Sequence, residues 1–181
     1  MNTEVKAHYP ANVLKFCPFC GSTNFENKSI KAFKCNSCGH PFYMNAAAAV
    51  AAIIQDEKGN ILLAQRAFEP YQGLYDLPGG FTDPLETAEE ALLREVKEEF
   101  NLDIIEYKYF DSFPNEYLYK GLTYFTLDLY FICKVKTFAN MHIKDDVSGY
   151  KFITPDIEST SIIGPEPMRK MLCKYIELKS D

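Results

Sequence analysis

Glu95, Glu98 and Glu99 stand at i, i+3 and i+4, the spacing that brings three carboxylates onto one face of an α-helix. At about 100° per residue they cover an arc of roughly 100°, beside a stripe formed by Leu92, Leu93, Val96 and Phe100. Like charges so placed repel one another, and near a helix C-terminus the dipole adds to the cost. Bound cations would offset it, and an all-oxygen ligand set suits Mg2+ or Mn2+. The alternative is a solvated acidic face balanced by Arg94 and Lys97, and the helix alone does not choose.

A second constellation lies near the N-terminus. Cys17-Pro-Phe-Cys20 and Cys35-Asn-Ser-Cys38 are separated by 14 residues. Each C-x-x-C can turn as a knuckle that presents two thiolates, with Gly21 and Gly39 relieving the turn that follows. Two knuckles complete a tetrahedral S4 set, which suits structural Zn2+ and leaves no open position for catalysis. A redox role is disfavoured because two such motifs stand at ribbon spacing. His40 reads as a surface histidine rather than a further ligand. Cys133 and Cys173 stand alone in apolar surroundings and read as core thiols.

These residues need elements to hold them. A module of about 40 residues buries little surface, so its metal is expected to supply most of its folding free energy. The division expected is a ribbon over 1–44 and a main domain over 45–181. Ala46 to Ile54 is small and apolar and reads as a buried strand. Val50–Gln55 and Ile61–Arg66 read as a hairpin pair, joined by Asp56-Glu57-Lys58-Gly59-Asn60. Pro70 to Leu77 reads as loop, and Pro78-Gly79-Gly80 as a breaker. A helix is predicted from Ala88 to Phe100, with Thr87 as N-cap and Glu90 completing a capping box. Leu102 to Phe113, Tyr124 to Val135 and Lys151–Ile153 read as strands, and Pro165 to Leu178 as a closing helix. Elements mixed in this order imply α/β layers around a mixed sheet.

Composition narrows the class. With 47% hydrophobic and 24% charged residues, the 181-residue chain can bury a core and is not a disordered polymer. Its net charge of -6 disfavours a generic nucleic-acid coat. The balance is uneven: residues 1–45 carry five lysines against Glu4 and Glu26, a net of +3. Ala46 to Ile54, the longest uncharged apolar run, is far shorter than the roughly 20 residues of a membrane span. MNTEVKAHYP contains no apolar segment flanked by positive charge, so a soluble cytoplasmic protein without membrane partners is expected.

From Gly80 the chain reads GFTDPLETAEEALLREVKEEFNL, against the pattern G-x5-E-x7-R-E-U-x-E-E-x-G-U, where U is a bulky aliphatic residue. Gly80, Glu86, Arg94, Glu95, Val96, Glu98, Glu99 and Leu102 match. Asn101 replaces the last Gly, at a helix end where a left-handed residue is expected and Asn is the usual substitute. The segment resembles the box of the Nudix hydrolase family, whose fold would be an α/β/α sandwich with a mixed sheet, here preceded by a small zinc ribbon. The resemblance implies Mg2+ or Mn2+ bound by Glu95, Glu98 and Glu99, with the Gly79 carbonyl approaching the same metal. It implies that Arg94 orients Glu95 and that Glu86 braces the loop against the helix. The base that accepts the proton of water is left open among Glu95, Glu99, Glu116 and Asp145-Asp146.

A four-cysteine ribbon ahead of such a domain resembles the NADH pyrophosphatase group. That likeness places Tyr43 near substrate, though a tyrosine sealing the module joint is equally consistent. Arg66, Glu116 and Tyr117 are further candidates for substrate binding. The group carries a stretch beginning S-Q-P-W, where this chain has Ser112-Phe113-Pro114-Asn115 and so loses Gln and Trp. The expected activity is metal-dependent hydrolysis of a phosphoanhydride in a nucleoside diphosphate derivative, a small nucleotide such as a dinucleotide or an ADP-ribose-like compound. An RNA 5′-cap-directed hydrolase and a non-catalytic nucleotide sensor are the alternatives, and the complete glutamate set speaks against the sensor. A homodimer is compatible with this reading.

Overall fold

Each C-x-x-C closes into a tight turn in the computed structural model, which describes residues 6–144 and 146–180. The Gly21 N–H donates to the Cys17 carbonyl and the Gly39 N–H to the Cys35 carbonyl, both at 2.9 Å. These glycines hold φ of 73° and 78°, a left-handed conformation that a side chain would strain. Around the turns run α1 (Pro10–Val13), β1 (Phe25–Asn27), β2 (Ala32–Cys35) and β3 (Pro41–Tyr43). The strands pair antiparallel in the order β1-β2-β3, and Phe25, Phe33 and Phe42 gather their rings within 5.1–6.3 Å.

The described residues through Ala47 form one unit with Glu116–Thr126. Within it the Tyr9 ring meets Phe125 edge-on at 5.2 Å. Its hydroxyl donates to Glu116 at 2.5 Å, and Lys6 reaches the same carboxylate at 2.6 Å. The unit takes in Glu116–Thr126, a segment that the sequence reading left with the main domain.

The second unit holds the other described residues. Its elements are β4 (Ala47–Ile54), β5 (Ile61–Arg66), β6 (Tyr75–Asp76), β7 (Gly79–Phe81), α2 (Ala88–Phe100), β8 (Ile104–Tyr119), β9 (Leu122–Val135), β10 (Val147–Ile153) and α3 (Glu166–Ser180); β4 begins, and β8 and β9 end or begin, within the first unit. They make two sheets, β10-β5-β6 and β7-β4-β9-β8. The named pairings of β4 with β7 and of β5 with β6 and β10 are antiparallel, while Tyr75 bridges Ile163 in parallel.

β4 and β5 show why this makes layers. Val50, Ala52, Ile54, Leu62 and Ala64 pack with Ala91, Leu92, Val96 and Phe100 of α2. The alternate residues Ala51, Ile53, Ile61 and Leu63 pack with Met168, Met171, Leu172 and Tyr175 of α3. A strand covered on both faces reads as an unbroken apolar run, as Ala47–Ile54 does. Each fully buried Ile or Leu stabilises the sandwich by about 1.5–3 kcal/mol.

The hairpin expectation for β4 and β5 is corrected. Among the described residues they share no ladder beyond the Gln55–Ile61 bridge just past β4, below a turn in which Asp56 accepts from the N–H groups of Lys58 and Asn60. Beyond that bridge β7 and β9 occupy both edges of β4, while β6 and β10 occupy both edges of β5. Sequence neighbours lose to distant strands because four partners bury more apolar surface than one mutual ladder. The loop expected over residues 70–77 accordingly contains β6. β8 and β9 run longer than expected because Lys120 and Gly121, at φ 46° and 82°, form a tight connection between them.

α2 forms where its capping signals place it. Thr87 accepts the Glu90 N–H at 3.1 Å and Glu90 accepts the Thr87 N–H at 2.9 Å, a reciprocal cap worth about 1 kcal/mol. Asn101 ends the helix at φ 54°, ψ 32°, the left-handed conformation expected of it. Among the described residues no helix is long and apolar enough to cross a membrane.

Candidate active site

α2 and β7 bring the glutamates and the glycines together. β7 pairs with β4 in the register Ala51 to Gly79 and Val50 to Gly80. Gly79 has φ 148°, and a Cβ there would lie 2.1 Å from the Val50 carbonyl oxygen. Only glycine fits. A Cβ on Gly80 would meet the Glu95 carboxylate at 2.5–2.8 Å, so this strand leaves the space that the carboxylate fills. The Gly79 N–H donates to Glu99 Oε2 at 3.0 Å.

Arg94 organises the rest. Its Nε and one terminal nitrogen each donate at 2.8 Å to a different oxygen of Glu86. That terminal nitrogen also reaches the Phe81 carbonyl at 3.0 Å, while the other donates to Glu95 at 2.8 Å and to Glu98 at 3.1 Å. One guanidinium therefore ties three carboxylates and β7 together.

Environment separates the carboxylates. The Arg94 guanidinium, helped by the Asp83 N–H, pulls the Glu86 carboxyl down to about 2. Burial raises Glu95, against the opposing pull of Arg94. Burial also pushes Glu99 up to about 8; the Gly79 N–H opposes this, and the charges of Glu95, Asp76 and Asp146 add to it. Glu98 is half-exposed. Carboxyls as reluctant to ionise as Glu95 and Glu99 favour a cation beside them, and their oxygens suit a hard divalent ion.

A further polar group lies in the same unit. Arg66 donates to Asp76 at 2.9 Å and to the Pro70 carbonyl at 2.6 Å. Asp76 is partly buried, and burial raises its carboxyl despite that guanidinium. Asn115 donates to the buried Asp128 at 3.0 Å, and Phe113 meets the Tyr130 ring edge-on at 6.2 Å. The charges of Asp128 and Asp76 add to burial in raising the Tyr130 phenol. Sequence reading missed Asp76 and Asp128. Asp76 sits in a segment read as loop, and Asp128 alternates with Leu127, Leu129 and Phe131 on what reads as the polar face of its strand; only the structure shows that face, with Thr126 and Tyr130, to be the more buried one.

The other candidates lie in the first unit. Tyr43 is exposed on β3, and Tyr117 stacks with Tyr119 at 6.4 Å. Glu116 is engaged by Lys6 and Tyr9, so it is not a free base. Of the acidic pair considered as bases, Asp145 lies outside the described residues. The sulfurs of Cys17, Cys20, Cys35 and Cys38 lie within 4.8 Å of one another and can hold a metal ion. They are the only such group among the described residues; the glutamates share a face without converging as closely. The Cys38 N–H leads in lowering the Cys35 thiol to about 6, while against the opposing Ser22 backbone hydrogen bond the contacts with the other thiols raise Cys20. His40 is not among these ligands; its ring stacks on Phe19 at 4.8 Å.

The NUDIX domain model matches residues 45–174. The chain is 30% identical over 114 residues to the NAD-capped RNA hydrolase NudC of Vibrio vulnificus (strain CMCP6), covering 63% of this chain and 43% of that protein. It is 47% identical over 60 residues to the ADP-ribose pyrophosphatase of Methanocaldococcus jannaschii, covering 33% of this chain and 35% of that one. The chain thus spans less than half the length of these curated relatives. Among solved structures, the NUDIX hydrolase from Nitrosomonas europaea shares the fold at a TM-score of 0.70 and 22% identity, covering 92% of this chain and 93% of that one.

Proposed function

The chain belongs to the Nudix family, and on that premise we propose that it hydrolyses a phosphoanhydride bond in a nucleoside diphosphate derivative. Water adds to one phosphorus, the bridging P–O bond breaks, and a nucleoside monophosphate leaves together with the phosphorylated remainder. The observation that carries this reading is the Arg94 network: one guanidinium fixes Glu86, Glu95 and Glu98 while the Gly79 N–H fixes Glu99. Glu95, Glu98, Glu99 and the Gly79 carbonyl would hold Mg2+ or Mn2+, which would offset phosphate charge and lower the pKa of bound water. Arg94 positions Glu95, and Glu86 braces Arg94. Glu95 and Glu99 stay the candidates to accept the proton of water.

The four thiolates would hold a structural Zn2+, as the chemistry of the donor set favours, and a reducing cytoplasm suits such thiols. Arg66 and Tyr43 stay candidates for substrate contact. Turnover of a panel of nucleoside diphosphate derivatives with Mg2+ and with Mn2+, read as release of nucleoside monophosphate, tests the reading. Folded, metal-loaded protein that releases none from any of them would overturn it.

A second reading directs the same chemistry at an RNA 5′ end. It is supported by the exposed Phe16, Phe19 and Tyr43 in a segment with a net positive balance, since stacking and phosphate contacts together hold single strands. The Vibrio relative is named for NAD-capped RNA. Faster cleavage of a capped RNA than of the free dinucleotide would favour this second reading.

A further inference from the structure

Residues 67–74, between β5 and β6, form a loop that closes on itself. At its neck the Arg66 N–H donates to the Leu74 carbonyl and the Gly73 N–H to the Arg66 carbonyl, both at 3.0 Å. Within it Arg66 Nε reaches the Pro70 carbonyl at 2.6 Å, and the Gln72 amide reaches the Ala67 carbonyl at 2.9 Å. The large apolar side chains stay outside this frame: Phe68 is 62% exposed, Leu74 43% and Tyr71 40%. Tyr71 stands at φ 67°, a left-handed conformation that glycine takes freely and a bulky residue resists. Its ring rests against Gly164, where a Cβ would lie 2.7–3.2 Å from the Tyr71 Cβ, Cγ and Cδ1. The fold gains little by holding an aromatic in a strained backbone with so much of it in water, so the side chain has other work.

Both ends of the loop lead to Glu99. The Ala67 N–H donates to the Asp146 carbonyl at 3.0 Å, and two residues before Asp146 the Lys144 N–H donates to the Glu99 carbonyl at 2.9 Å. At the other end Arg66 holds Asp76, three residues ahead of the Gly79 whose N–H donates to Glu99 Oε2. Asp76 and Asp146 are also near enough for their charges to act on Glu99. We propose that Tyr71, with Phe68 on the same loop, stacks on the base of the nucleoside whose diphosphate is cut at the glutamate site, a role that rests on the hydrolysis proposed above. A base is one ribose removed from the phosphates, so its holder stands beside the metal-binding carboxylates and not among them, as this loop does. Charge chooses the base over the phosphates as the occupant. Glu69 is the one charged residue in the loop, and with no cation the loop repels an anion and suits an uncharged ring. Stacking on Phe and Tyr tolerates any base, since each has a π-face.

Steady-state kinetics of the full chain with Mg2+ test this on ADP-ribose and on its base-free counterpart, in which the diphosphate joins two riboses. Tyr71→Ala should raise KM for ADP-ribose about tenfold with kcat within about twofold, and Phe68→Ala should raise it less. Tyr71→Phe keeps the ring and should stay within about twofold of wild type. Gly164→Ala pushes the ring from its seat and should raise KM as Tyr71→Ala does. None of the four should alter KM for the base-free compound, and circular dichroism checks that each is folded. If the wild type cleaves no ADP-ribose, the fault lies with the proposed hydrolysis. Calorimetric binding of ADP-ribose, expected about tenfold weaker in Tyr71→Ala, then decides the stacking by itself. An unchanged KM or affinity in Tyr71→Ala, an equal loss on the base-free compound, or wild-type protein that neither cleaves nor binds ADP-ribose overturns the proposal.

Discussion

Arg94 holds Glu86 with two parallel hydrogen bonds, Nε and a terminal nitrogen each 2.8 Å from a different carboxylate oxygen. The same guanidinium then reaches Glu95 and Glu98, so the position of the loop at Glu86 and the aim of the helix carboxylates are one mechanical fact.

Acid should expose the Glu86 link. The carboxyl is depressed from 4.5 to about 2, so its stabilisation is fully present above the unfolded value and is lost as pH falls through that window. E86Q should therefore melt below wild type near neutrality, with the gap closing as melts are taken from pH 5 towards pH 2. Activity should fall about 10–100-fold, the usual effect of losing a ligand-orienting partner. A pH-independent gap would contradict the assignment.

Glu99→Gln should remove activity, by about 100-fold or more, while metal-free stability holds or rises. Partial burial pushes the glutamate up to about 8, so its ionised form weakens the metal-free fold at high pH. Retained turnover with unchanged Mg2+ dependence is the result that sinks the ligand role.

The two glycines should separate fold from function. Gly79→Ala meets a backbone oxygen at 2.1 Å and a positive φ, and should cost on the order of 1–3 kcal/mol in denaturant melts. Gly80→Ala meets only the end of the Glu95 side chain, and should leave the melt nearly unchanged while activity drops. Equal melts for both variants would show that Gly79 is not under the constraint described.

Elemental analysis of untagged protein should find about one zinc per chain, and Cys35→Ser should lose it. Four thiols of ordinary reactivity in the protein as purified would rule the site out.

NADH should not be clearly preferred over ADP-ribose. The residues that replace Gln and Trp are occupied: Phe113 packs on Tyr130 and Asn115 donates to Asp128, so neither offers the lost amide or stacking surface. Stacking alone contributes on the order of 1–3 kcal/mol per base. A ratio of specificity constants favouring NADH by about a hundredfold or more would mean that other residues have rebuilt the pocket.

The sequence by itself determined what depends on short spacing. Glu95, Glu98 and Glu99 share a face because the helix period is local, and α2 begins at Thr87 and ends at Asn101 because caps act within one turn. The knuckles at Cys17–Cys20 and Cys35–Cys38 follow from turn chemistry in the same way. Tertiary structure decided what depends on partners far along the chain. β4 and β5 part after one bridge, Glu116 closes on Lys6 and Tyr9, Asn115 turns to Asp128, and Gly80 makes room for Glu95. A ladder or a buried polar pair forms wherever the most apolar surface and the most complete hydrogen bonding can be had together, and those partners lie up to 110 residues apart.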